Sequence, residues 1–115
     1  MMRDMDLIRL IVLKVDQNDP NGPIEGYTKD EIKYNCMQAI EMGLLKGKVL
    51  KDSRRSTPVP ANVLLEDLTP AGHDFIDGIQ SESNWHKVKD YLLAGGKQIT
   101  IETIKAAIRA LFGAS

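Results

Sequence analysis

The chain has 115 residues, enough for one domain with a real core and too few for two. Its 43% hydrophobic and 27% charged residues exclude wholesale disorder. A net charge of −1 and a pI near 6.1 exclude a uniformly basic coat for nucleic acid, while leaving room for a local basic patch.

The first predicted element is a helix over Asp6–Val15. Leu7, Ile8, Ile11, Val12 and Val15 recur at helical spacing. Leu10 and Leu13 widen that stripe, so the helix should pack on more than one side. It ends before Asp16–Pro23, a dense run of turn formers, and Ile24 is either a short strand or an anchor. Thr28-Lys29-Asp30-Glu31 then reads as a capping box that opens a helix to Met42. Ile32, Cys36, Ala39 and Ile40 line one face, and Gly43 stands where a C′ glycine ends a helix. Asp30, Lys33, Tyr34, Met37, Gln38 and Glu41 are expected on the opposite, exposed face.

Leu44–Lys51 and Asn62–Leu68 read as the strands of an antiparallel hairpin. The proline-rich loop between them is too long for a tight turn and should project. Thr69 as N-cap and Pro70 at the first helical position start a short helix carrying Ala71, Phe75, Ile76 and Ile79. Ser81 or Ser83 caps the next, with Trp85, Val88 and Leu92 inward and Gly95-Gly96 at its end. Thr100 caps the last, whose stripe is Ile101, Ile104, Ile108 and Leu111.

Helix, helix, Gly-Leu-Leu, hairpin and then an L-T-x-x-G helix start is the order of a winged helix-turn-helix. Three stretches narrow the resemblance: Met2-Arg3-Asp4-Met5-Asp6-Leu7-Ile8-Arg9; Tyr34-Asn35 with Met42-Gly43-Leu44-Leu45; and Leu68 to Asp77 with Trp85-His86-Lys87-Val88-Lys89. Together they resemble a small family of bacterial and phage proteins classed only as a domain of unknown function. The resemblance runs from about Arg3 to Leu111. It implies a winged-helix-like fold and a prophage setting, and no established activity. Members often carry a histidine after the tyrosine of the middle helix. This chain has Asn35 there, so no role for that histidine carries over. The Pro, Gly and Asn of Asp16–Tyr27 also leave little room for the supporting helix of an ordinary helix-turn-helix.

Lys46, Lys48, Lys51, Arg54 and Arg55 are concentrated in ten residues, with Asp52 the one opposing acid. A wing with this charge can lie along phosphates or enter a minor groove. The plain alternative is a solvated hairpin whose lysines protect an edge strand. On the Thr28–Met42 helix, Lys33 and Gln38 can reach bases or phosphates, although Asp30 and Glu41 share that face. Tyr34 and Met37 look more like protein contacts. Ile101, Ile104, Ile108 and Leu111, with Phe112 beside them, either pack back on the Trp85 helix or pair with a second chain as a homodimer.

His73 and Asp77 are four apart, but two ligands make no metal site, and His86 adds no motif spacing. The single cysteine, Cys36, excludes an internal disulfide and reads as a small buried hydrophobe. Gly95-Gly96-Lys97 lacks the earlier glycine and the following Ser or Thr of a phosphate loop. No catalytic constellation stands out, so neither an enzyme, a cofactor nor a small-molecule substrate is expected. The N-terminus shows no signal-peptide core and no apolar run is long enough for a membrane, which makes a cytoplasmic setting the expectation.

The sequence thus predicts a mainly α fold with a small antiparallel β-hairpin, a winged helix-turn-helix with additional C-terminal helices. One domain is expected over 1–115, with a winged-helix core over 1–80 and a helical extension over 81–115. The first functional expectation is binding of double-stranded DNA by a phage or prophage transcriptional regulator. The alternative is a protein-interaction adaptor that retains the fold without binding nucleic acid.

Overall fold

The structure is a computed structural model that describes residues 1–52 and 56–113. It holds α1 (Met5–Asp16), α2 (Lys29–Glu41), β1 (Leu45–Leu50), β2 (Asn62–Leu68), α3 (Pro70–Asp77), α4 (Glu82–Ala94) and α5 (Ile101–Phe112). This is the expected mainly helical chain with one two-stranded antiparallel sheet. Two compact units divide it, Met1–Gly72 and His73–Ser115. The division falls within α3, earlier than the boundary expected after residue 80.

In the first unit, α1 is buried at Met5, Leu7, Ile8, Arg9, Ile11, Val12 and Val15. At 3.6 residues per turn these positions sweep roughly 200° of the helix circumference, so α1 has core neighbours on more than one side. It packs on α2 and on β2, and α2 in turn touches both strands. Asp4 caps α1, its side chain accepting from the Leu7 amide at 3.2 Å. Residues 17–28 contain turns and no helix, so no supporting helix separates α1 from α2. Ile24 belongs to no strand and is half-buried.

The capping box of α2 is formed: Thr28 Oγ1 accepts from the Glu31 amide and Glu31 Oε1 from the Thr28 amide. The helix ends in a Schellman motif. Gly43 has φ of 77°, its amide donates to Ile40, and the Leu44 amide donates to Ala39. Ala39 and Leu44 are both fully buried, so the turn that ends α2 also delivers β1 into the core.

In the hairpin, Leu45 pairs with Leu68, Gly47 with Leu65 and Val49 with Val63 along the inner face. Lys46 stands opposite Asp67, Lys48 opposite Leu64 and Leu50 opposite Asn62 on the outer face. A bulge between Lys46 and Gly47 makes Glu66 an additional residue of β2 and leaves Glu66 and Asp67 exposed in succession. The L-T-x-x-G start of α3 is a lock. The Thr69 amide donates to the Leu44 carbonyl at 3.1 Å, its hydroxyl donates to the Gly43 carbonyl, and the Gly72 amide donates to Thr69 Oγ1 at 3.0 Å.

In the second unit, Phe75, Ile76, Ile79, Trp85, Val88, Leu92, Ile104 and Ala107 are buried. Ser81, and not Ser83, caps α4, accepting from the Asn84 amide. Thr100 caps α5 with Thr103 reciprocating. α5 packs on α4. Its stripe grades outward: Ile104 is buried, Ile101 and Ile108 are half-buried, and Leu111 and Phe112 are exposed.

Candidate nucleic-acid interface

The expected interface had two parts, the outer face of α2 and the wing. Asn35 through Ala39 form an unbroken buried run in the middle of α2. A helix buried at five consecutive positions is covered all round there, whatever its hydrophobic stripe suggests. Met37 and Gln38, expected to be exposed, are 7% and 8% exposed.

Two long-range contacts explain part of this cover. Arg3 Nε donates to Gln38 Oε1 at 3.0 Å, and Gln38 Nε2 donates to Glu41 Oε2 at 3.4 Å. The Asp4 amide donates to Asn35 Oδ1 at 2.8 Å, and Asn35 Nδ2 donates to the Glu31 carbonyl at 2.9 Å. Asn35 is 1% exposed, so both polar ends of its amide are satisfied inside the protein. The chain entering α1 therefore lies along α2. Tyr27 sits near this contact, its hydroxyl pKa raised by burial and then by the negative charges of Asp4, Asp6 and Glu31. Arg9 is buried on α1. The R-D-M-D-L-I-R stretch that carried part of the resemblance thus performs structural work: a cap, a clamp and core packing.

Gln38 is consequently not placed to read a base, since both ends of its side-chain amide are engaged within the fold. Lys33 and Tyr34 are half-buried, and the fully exposed positions of α2 are Lys29, Asp30 and Glu41. Lys33 lies on the side of α2 that shares a cleft with Ile32 and Cys36. Burial pushes the Cys36 thiol up to about 11, so it is a protonated core group at neutral pH.

The wing behaves differently. Lys46, Lys48 and Lys51 are all exposed. Lys46 and Lys48 project from the same face of β1 because side chains alternate along a strand. Asp67 faces Lys46 across the ladder and Glu66 bulges beside it, which dilutes positive charge at the base of the hairpin. Towards its tip the partners of Lys48 and Leu50 are the uncharged Leu64 and Asn62. Arg54 and Arg55 lie outside the described residues. Sequence reasoning placed the lysines on an exposed hairpin. It missed the bulge, whose only local signal was the break in alternation at Glu66-Asp67.

Among the described residues no cluster of three or more His, Cys, Asp or Glu is arranged for a metal, and His73 and Asp77 are exposed. No helix among them is long and apolar enough to cross a membrane.

The fold and these surfaces define a small, mainly helical protein with a basic hairpin. The chain belongs to the family described as Hypothetical protein (DUF2513), which matches residues 2–98. That match covers both helices of the first unit, the hairpin, α3 and α4. No curated protein and no solved structure matches the chain.

Proposed function

We propose that this protein is a nucleic-acid-binding module, serving as a phage or prophage regulator, that engages duplex DNA through its hairpin. The order α1, α2, hairpin, α3 supports a winged-helix reading. The covered centre of α2 makes that helix a support for the wing. The observation that carries the proposal is the shared outward face of Lys46 and Lys48, with Lys51 exposed just beyond the end of the strand. Arg54 and Arg55 follow in the sequence. Such a surface contacts phosphates, which position a protein on DNA without reading its sequence.

The test is binding of the purified protein to a random duplex pool over a salt series. Neutralising several phosphates makes affinity fall steeply with salt, by about 0.9 log unit per contact per log unit of salt. Replacing Lys48 and Lys51 by alanine should lower that slope by about 2. An unchanged slope removes the wing from the interface, and no binding even at low salt overturns the proposal.

A second reading, a protein-interaction adaptor, draws on a different feature of the same face. Leu50 and Leu64 are 46% and 48% exposed; Leu64 stands directly opposite Lys48, and Leu50 follows Lys48 on the same face of β1. Apolar side chains there favour a protein partner over phosphates. The adaptor face expected around Tyr34 and Met37 is not available as such, because Met37 is buried.

A further inference from the structure

A second feature of the first unit lies away from the wing's outer face. A cleft of about 340 Å³ opens between the second half of α1, residues 20–24, the first half of α2 and the inner face of β2. Its walls are mainly apolar, with Ile11, Pro23, Ile24, Ile32, Val63 and Leu65, and Asn21 and Asn62 also line it. Cys36, a buried and protonated thiol, adds no charge. Three lysines line the same cleft, Lys14 from α1 and Lys29 and Lys33 from successive turns of α2. None of the described residues lining it is acidic. Asp19 lies near Lys14, with its Oδ2 3.8 Å from Nζ, and Asp19 is exposed.

We infer that this cleft binds a small amphipathic anion: an aliphatic body against the isoleucine, valine and leucine walls, and one carboxylate met by Lys29 and Lys33. Charge complementarity selects this occupant. An uncharged apolar ligand would leave the lysines unused, and an inorganic anion would leave the apolar walls wet. The volume lies at the low end of the ~300–1,000 Å³ typical of small-molecule sites, which points to a medium-chain acid. Lys29 and Lys33 are four apart on α2 and so share a face with Ile32 and Cys36 between and below them. This inference goes beyond the nucleic-acid reading and does not depend on it.

The experiment is an amide-shift NMR titration of the full chain with sodium octanoate, with 1-octanol and sodium acetate as the tail and head alone. Octanoate should saturate shifts at Ile24, Ile32, Cys36 and Val63, while 1-octanol and acetate bind at least about tenfold more weakly. In Lys29→Ser/Lys33→Ser, octanoate should weaken about tenfold, the loss of two partly screened ion pairs, with 1-octanol unchanged. The untitrated spectrum shows whether that variant keeps the fold. If it does not, the wild-type comparison of octanoate with 1-octanol decides alone. Equal affinity for octanoate and 1-octanol, equal affinity for acetate, or shifts that never saturate would each overturn the inference.

Discussion

The backbone amide of Asp4 donates to Oδ1 of Asn35 at 2.8 Å, joining residues 31 apart in the chain. Asn35 returns its own amide hydrogen to the Glu31 carbonyl. Removing the side chain leaves the Asp4 amide without this partner in a partly buried site. Asn35→Ala should therefore lose about 1–3 kcal/mol of stability. Denaturant unfolding measures it, and a midpoint equal to wild type would mean that water replaces the bond at no penalty.

Gly72 approaches the backbone of the α2–β1 turn so closely that a Cβ there would lie 2.1 Å from the Leu44 carbonyl oxygen. The obstacle is main chain, held by the Thr69 bonds, and cannot swing aside. Gly72→Ala should destabilise the protein by about 1–3 kcal/mol or more through overpacking, despite alanine's better helix propensity. Thermal unfolding checks the sign: a gain in Tm would mean that α3 does not start against Leu44.

Cys36 gives the protein an alkaline limit. Its thiol titrates near 11 in the folded chain against an ordinary 9.0, because burial disfavours the thiolate. Between these values the folded state keeps a proton that the unfolded state has lost. Stability is thus fully present below pH 9 and falls as pH rises towards 11, by at most about 3 kcal/mol. Tyr27, also raised, acts in the same direction at higher pH. Unfolding free energies of wild type and Cys36→Ala across pH 8–11 should converge with increasing pH, since the variant lacks the thiol; parallel curves would assign the loss elsewhere.

Gln38 and the wing lysines separate stability from binding. Gln38→Ala should weaken folding by about 1–2 kcal/mol, because Arg3 and Glu41 lose their common partner, and leave the salt slope of DNA binding unchanged. Lys48→Ala should do the reverse, lowering the slope by about 1 with stability near wild type. Lys46→Ala should have the smaller effect on binding, since Asp67 already faces it. A Gln38 variant that binds DNA with a flatter slope would return α2 to the interface.

Much of the local structure was legible because its causes are local. Thr28 and Glu31 announce their helix by satisfying each other's amides three residues apart. Gly43 announces an end because a left-handed φ is easiest for glycine. Thr69-Pro70 marked the start of α3. The exposed face of α2 was misread because periodicity counts only apolar residues on one element. It assigns Met37 and Gln38 to solvent because they lie opposite the apolar stripe, and nothing local signals that Arg3 will reach Gln38.

By itself, then, the sequence determined the order of helices and strands to within a residue or two of their ends, the basic hairpin, and membership in a family with that pattern, since capping, turn chemistry and alternation act over a few residues. The tertiary structure alone decided that the centre of α2 is interior, that Lys33 lies beside an apolar cleft, and that a bulge sets acids against the base of the wing. Those outcomes depend on which distant backbone and side-chain groups meet once the core closes. Burial of a polar residue is set by its partners, and here the partners of Asn35 and Gln38 include residues 31 and 35 positions away in the chain.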